Sequence, residues 1–514
     1  MSGLISPEKE APMGAEAVRL PLVSADDAVD FSLAAARAAF GKLEGWAMSE
    51  EACALPEHEV EAGLQTRGRE AIRLMLQAHM NRRGTGRVGP ALRVVRPEGE
   101  TLQSDARTDG RKVVSIFGDV TARRAAYAAP GRESVHPLDE EALLPARSFS
   151  YELQRRVVDE SVRGPFDEAV ESIEKTTGNV LSKRSAEQVV RDAAEDFNAF
   201  YQERKAPPPA ETGPILVAAV DCKGVPMVKP EAAKCTASRK KGEKANRKKM
   251  ATVAAVFTQR PRIRTPEEVV ASLFEDAPLE DTPLGKAARS RPEHKRVWAS
   301  IEKTKDEVIA EAVAEMDARD PEGAKLRVAV TDGERALQTR VKKAVPGIVL
   351  ILDLLHALEY LWKAAYAFHA EGSDEAAGWV RRRALMILKG EVPQVVKGMR
   401  QSATKRGLTG AKRKAVDSAA RYFMRNRDRM RYDTYLATGL PIASGAVEGA
   451  CKNLVKDRME RSGMRWQVPG AEAVLRLRAV KLSGNMEEYW PFHIAREQER
   501  LYGGRTWEVV ANAK

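Results

Sequence analysis

ILVAAVD (215–221) and LRVAVTDG (326–333) decide how this chain reads. Each is a short, mostly apolar run that stops at an aspartate, Asp221 in the first and Asp332 in the second. A run with no polar face is what a strand covered on both sides requires, and parallel strands under helices are covered that way. A third acid, Glu448, lies in ASGAVEGACKNLVKDRM (443–459), where the apolar spacing is helical. Two strand-end aspartates and one helix-borne glutamate, far apart in sequence, are hard oxygen donors. Such donors suit a pair of divalent ions about 4 Å apart that clamp a phosphodiester. Singly, each acid has a plainer account: Asp-Gly is a turn signal, and a helix's first turn favours a negative charge. The specificity is in the joint pattern.

Outward from these runs, the segments PMVKP (226–230) and MATVAAVFTQ (250–259) read as second and third strands. Residues 265–320 read as polar and helical, KRVWASIEKTKDEVIAEAVAEM (295–316) included. After LRVAVTDG come a helix, GERALQTRVKKA (333–344), and another apolar run, GIVLILD (347–353). Three strands, helix, strand, helix, strand is the order of an α/β RNase H-like core, with antiparallel strands first and parallel ones after. In that order the fourth strand lies beside the first, so Asp332 can face Asp221. Asp353 ends the fifth strand and is the alternative second ligand. His356 follows it at D-x-x-H spacing, either as a satisfied structural histidine or as a hydrogen-bonding group at a scissile phosphate. Residues 364–440, rich in Arg, Lys and Ala, read as a helical insertion before the Glu448 helix.

Upstream, residues 1–25 read as a disordered tail, and 26–205 as a mostly α region with a small β element. The segment 93–128 is short-stranded and Gly-broken, with a hairpin expected around Gly118 and Asp119. From about 150 to 205 three helices are expected, with a helix-turn-helix-like arrangement. If that motif holds, Lys183, Arg184, Ser185 and Gln188 reach DNA bases from the N-terminal end of the third helix. A plain helical bundle is the other reading. APPPAETGP (206–214) is a stiff spacer and the expected domain boundary. The catalytic domain is then 215–500, followed by a C-terminal tail, 501–514.

The formal charge of +11 points to a polyanionic partner, most simply nucleic acid. SRKKGEKANRKKM (238–250) concentrates Arg239, Lys240, Lys241, Lys248 and Lys249 beside the first strand, as a phosphate-gripping loop or as a solvated flap. KNLVKDRMERSGMRW (452–466) adds Lys452, Lys456, Arg458 and Arg465 for the backbone, with Trp466 either stacking on an unpaired base or packed in the core. Four cysteines form no CxxC pair and fit a reducing cytoplasm. No apolar run approaches the ~20 residues of a membrane span, and the N-terminus lacks the apolar core of a secretory signal. No GxGxxG follows a strand, which disfavours a dinucleotide-binding enzyme.

VDCKGVPM (220–227), VTDGERAL (330–337), DLLHALEYLW (353–362) and GLPIASGAVEGACKNLVKDRMERSGMRW (439–466) resemble the ISKra family of insertion-sequence transposases, DDE enzymes of the Mutator-like group. FGDVTARRAAY (117–127) and PLDEEALLP (137–145) extend the resemblance over most of 65–500. It implies Asp221, Asp332 and Glu448 as a triad holding two Mg²⁺ or Mn²⁺ ions, and Asp353 with His356 as the D-x-x-H motif. It also implies double-stranded DNA, element ends and target, as partner, a homo-oligomer on that DNA, and a nucleoid-associated cytoplasmic protein. Cys222 departs from the glycine expected after the first aspartate. Two rivals remain: a metal-dependent nuclease or resolvase on the same fold, and a domesticated, non-catalytic DNA-binding protein.

Overall fold

The computed structural model describes residues 33–96, 101–233, 248–274, 292–443, 445–504 and 506–510. The chain divides into two compact units. One comprises Met1–Glu160, Asp167–Ala186 and Pro491–Lys514, the other Ser161–Phe166 and Glu187–Trp490. The expected tail 1–25 lies outside the described residues.

The first unit pairs helices Ala34–Ala47 and Glu57–Arg82 with a four-stranded antiparallel sheet of order β3-β2-β1-β9. Its strands are β1 (Ala91–Arg96), β2 (Thr101–Ser115), β3 (Gly118–Ala128) and β9 (Thr506–Val510). The β2–β3 hairpin closes at Ser115↔Gly118, so its turn is Ile116 and Phe117, two residues before the expected place. Gly118 opens β3 at φ +120°, a conformation that favours glycine. Along β3 Val120 and Ala122 are buried in one apolar cluster and Ala125 and Tyr127 in another, the period of 2 changing phase where the β2–β3 register shifts. Residues 506–510, expected in a free tail, form β9 and pair with β1 from Ala91↔Val510 to Arg96↔Thr506. A five-residue strand with an apolar end is too short a signal to stand out beside a chain terminus.

The second unit holds a five-stranded sheet of order β6-β5-β4-β7-β8. The strands are β4 (Ile215–Pro226), β5 (Lys248–Gln259), β6 (Glu293–Ser300), β7 (Leu326–Thr331) and β8 (Val349–Leu352). Central β4 is antiparallel to β5 and parallel to β7, β5 is antiparallel to β6, and β7 is parallel to β8. Two strand assignments are corrected. PMVKP is not a strand: β4 runs on to Pro226 and the chain then enters the helix Lys229–Ala233. The third strand is β6, inside the stretch expected to be helical; Val297 and Trp298 pair with Ala255 and Ala254 of β5. The helix begins only at Lys305, behind a capping box in which Thr304 Oγ1 accepts from the Glu307 N–H (3.3 Å) and the Glu307 carboxylate accepts from the Thr304 N–H (2.7 Å).

Every residue of β5 from Ala251 onward is buried, as is β4 from Ile215 to Val220, so both faces of these central strands are covered. On one side the cover is the helical insertion. Helices Asp374–Leu388, Val392–Lys405 and Gly410–Asn426 share one apolar core with Val217, Val328, Val330 and Ile351 of the sheet. At about 1.5–3 kcal/mol per fully buried large apolar side chain, that shared core ties the insertion to the sheet. The segment expected as a single third helix before the linker is two helices, Lys183–Ala193 and Phe197–Glu203. The linker 206–214 carries a 3-10 turn, Pro209–Glu211. The division between units does not fall there, since residues 187–214 belong with the sheet of the second unit.

Candidate active site at the ends of the central strands

The parallel register of β4 and β7 runs from Ile215↔Leu326 to Ala219↔Val330. Asp221 and Asp332 each lie two residues beyond that last pair. Neighbouring strands stand about 4.8 Å apart, so the two aspartates follow the last pair of adjacent strands by the same number of residues. Here the two strands part. β4 continues along β5, with Asp221 opposite Val253. β7 ends at Thr331, and the chain turns away through Asp332 and Gly333. Asp332 Oδ1 accepts the Glu334 N–H at 2.9 Å, and the Asp332 carbonyl accepts from Gln338 Nε2 at 3.0 Å, which holds the turn.

Asp221 Oδ1 accepts the N–H of Cys222 (2.6 Å), and its Oδ2 accepts from Cys451 Sγ (3.2 Å). The Asp332 pKa is raised. Burial is the main cause, the Glu334 N–H works against it, the negative charge of Asp221 adds to it, and His356 opposes it. Asp221, Asp332 and His356 therefore share one electrostatic neighbourhood. His356 is half-buried, its Nδ1 3.8 Å from Glu359 Oε1. Glu334 is paired with Lys305 at 2.8 and 3.1 Å. Burial pushes the Cys222 thiol up, with the Lys305 charge opposing.

Asp353 has other work. It is buried, caps the helix Leu354–Ala365, and accepts the Leu355 N–H at 2.8 Å. Glu448 sits on the short helix Gly445–Ala450, which packs on β4 and β5, but its side chain is exposed. Among the described residues no three His, Cys, Asp or Glu side chains are grouped to hold a metal ion. The structure thus brings Asp221 and Asp332 together and leaves Glu448 outside their group; the group on that helical segment that reaches Asp221 is Cys451. Cys451–Lys456 is a π-helix, a wide turn found often at functional sites. The aspartate pair suits a hard divalent cation. Asp332 is disfavoured as an anion first by burial and then by the charge of Asp221, a cost that a bound cation would offset.

Two expected DNA contacts are corrected. Arg458 is fully buried, its Nε donating to the Ser161 carbonyl at 2.8 Å and its guanidinium lying 4.9 Å from the Trp466 ring and 5.2 Å from the Phe166 ring. Trp466 is buried too, its Nε1 donating to the Met459 carbonyl at 2.9 Å, and its backbone bridges to the end of β4 at Met227. A buried planar cation within reach of two adjoining rings is a packing unit, and it leaves neither group for a base or a phosphate.

Lys452, Lys456 and Arg465 are exposed on the same stretch. Lys248 opens β5 and pairs with Glu460 at 2.6 Å, while Lys249 is half-buried. Arg239, Lys240 and Lys241 lie outside the described residues. Lys183 is exposed and paired with Asp167 at 2.7 Å, Arg184 is exposed, and Gln188 Nε2 donates to Asp192 at 2.8 Å.

Sequence reasoning missed Tyr422 of the insertion. Its ring stacks on Tyr360, centroids 3.7 Å apart and planes 11° off parallel. A Cβ on Gly333 would lie 2.2 Å from its Cε2. Burial, with the nearby Tyr360, Asp332 and Asp353 adding to it, pushes the phenol pKa well up. In the sequence this residue lies in RYFMRNRDRMRY (421–432), a basic, aromatic segment that reads either as a further DNA contact or as an exposed helix face.

No family model matches this chain, and neither does any curated protein. Among solved structures, the Drosophila P element transposase strand transfer complex is similar at a TM-score of 0.25 and 8% identity, over 69% of this chain and 81% of that chain. A likeness at that level carries no argument about this chain.

Proposed function

We propose that the chain is a DNA transposase of the DDE type, built on an RNase H-like sheet. The observation that carries the reading is the matched placement of Asp221 and Asp332, two residues past the last register pair of adjacent parallel strands. The strand order supports it: on one side of β4 the pairings β4–β5 and β5–β6 are antiparallel, and on the other β4–β7 and β7–β8 are parallel. Two Mg²⁺ or Mn²⁺ ions, held by Asp221 and Asp332 with Glu448, would activate water and neutralise charge at a phosphodiester.

The chain's own residues do the rest. The Glu334 N–H and Gln338 fix the Asp332 turn. His356 can donate to a phosphoryl oxygen. Lys452, Lys456 and Arg465 offer exposed cations to the backbone of double-stranded DNA, with Lys183 and Arg184 on the upstream helix. Hydrolysis at an element end frees a 3′-hydroxyl, whose attack on target DNA breaks one phosphodiester as it forms another, so no protein nucleophile is required. Assembly as a homo-oligomer on paired ends belongs to this proposal. No described helix is long and apolar enough to cross a membrane.

The exposed Glu448 favours a second reading, a domesticated DNA-binding protein without catalysis. The test is a supercoiled plasmid carrying the DNA that flanks the gene, incubated with full-length protein and Mg²⁺. Joined donor–target products support transposition. Nicks without joining indicate a nuclease or resolvase, and binding without either indicates the non-catalytic protein.

A further inference from the structure

Gly333 follows Asp332, and its backbone does not have the positive φ that would call for glycine. Its missing side chain has another cause: the space a Cβ would fill is taken by Tyr422, with Cε2 at 2.2 Å and Cζ and the hydroxyl oxygen each at 2.8 Å. The ring is held there from behind by Tyr360, over which Lys363 Nζ lies 5.0 Å from the centroid. The Tyr422 hydroxyl is buried and has no hydrogen-bond partner among the described residues. If only an aromatic filler were needed, Phe would serve better, because a buried hydroxyl without a partner is unfavourable.

We propose that Tyr422, supplied by the helical insertion, is a positioning residue for Asp332: its ring fills the space beside Gly333, and its hydroxyl, without a partner among the described residues, is the donor available to the Asp332 carboxylate when that group turns to hold a divalent cation. The inference rests on the reading of Asp221 and Asp332 as a cation-binding pair. It gives the insertion a part in the site besides its share of the core. A hydrogen-bond partner behind a ligand fixes the ligand's orientation, and its loss typically weakens metal binding about 10–100-fold.

The test is Mn²⁺ titration of full-length protein, followed by calorimetry, with thermal unfolding in chelator as a parallel readout. Tyr422→Phe keeps the ring and its stack and removes only the hydroxyl. Expected are an unchanged or higher Tm in chelator and a Kd for Mn²⁺ weakened about tenfold or more. Gly333→Ala, which drives the ring off the strand end, should weaken Mn²⁺ binding at least as much. Wild-type Mn²⁺ affinity in Tyr422→Phe overturns the proposal, as does a Tm loss of several degrees, which would make the hydroxyl structural. Asp332→Asn separates the two failures. If it abolishes Mn²⁺ binding while Tyr422→Phe leaves it intact, only the role of Tyr422 falls. If wild-type protein binds no Mn²⁺, or Asp332→Asn binds it as well as wild type, the cation-pair reading falls and takes this inference with it.

Discussion

Arg458→Ala separates a packing role from a DNA-gripping role. The wild-type side chain has no exposed surface. Its removal deletes a charge-assisted bond to the Ser161 carbonyl (2.8 Å), the approach of Nη1 to Met464 Sδ (3.2 Å), and the guanidinium's contacts with the rings of Trp466 and Phe166. A hydrogen bond to a charged group contributes about 1.5–3 kcal/mol. A dry cation–π interaction adds up to about 2 kcal/mol, and a large-to-small change in a core costs about 2–5 kcal/mol. These contributions overlap, and relief from burying a charge offsets part of them. Taken together the loss comes to about 3–5 kcal/mol, the upper part of that core range. For a unit larger than about 250 residues, that corresponds to a Tm lower by about 5–10 °C. Arg458→Lys, a point charge without the planar fork, should fall between. The assay is differential scanning calorimetry, beside a titration of duplex DNA at several salt concentrations. An Arg458→Ala protein with wild-type Tm and a shallower salt slope would refute the packing argument and return Arg458 to the DNA.

Asp221→Asn, Asp332→Asn and Glu448→Gln should each abolish plasmid cleavage while DNA affinity stays within about twofold, since the amide removes a ligand charge at nearly constant volume; cleavage by Glu448→Gln at the wild-type rate would make the exposed glutamate a bystander. Asp332 also sets a pH signature. Its folded pKa is raised, so what it contributes to stability is present below its unfolded value and lost as pH rises through the folded one. In chelator at neutral pH, Asp332→Asn should therefore unfold at a higher temperature than wild type, with the gain vanishing below the ordinary aspartate range of about 4; equal Tm values at neutral pH would contradict it. Neutralising Lys452, Lys456 and Arg465 together should weaken binding of all duplex sequences alike and reduce the slope of log K against log salt by roughly 0.9 for each phosphate no longer neutralised, whereas an unchanged slope would leave these cations solvated. Replacing Lys240, Lys241, Lys248 and Lys249 with Gln should flatten the slope in the same way, with Lys248 contributing least because Glu460 already holds it.

What the sequence made legible follows from which physical signals are local. The aspartates could be read because a doubly covered strand writes itself as an apolar run, and the residue after the run marks where the strand leaves its neighbour. Two runs of similar length, set side by side in parallel, put their last paired residues level, as Ala219↔Val330 are, with an aspartate two residues beyond each. β6 was not legible, because KRVWAS flows into a true helix without Gly or Pro, and only Thr304 with Glu307 marks the change. β9 was hidden for a related reason: its partner β1 is more than four hundred residues away, and a short strand has little pattern of its own. Glu448, Arg458 and Trp466 share one difficulty. Helical spacing says which residues share a face, not which face meets the sheet, and a basic aromatic helix reads alike whether its arginine grips phosphate or stacks in a core. Tyr422 is the extreme case. Its placement beside Asp332 depends on a glycine some ninety residues earlier and on the stack with Tyr360, a relation between three helical and strand-end positions that no window of sequence contains. The placement of the candidate residues is thus legible where strand periodicity determines it and illegible where helix placement does, and for that reason the mutations that test the proposed site most sharply lie on helices.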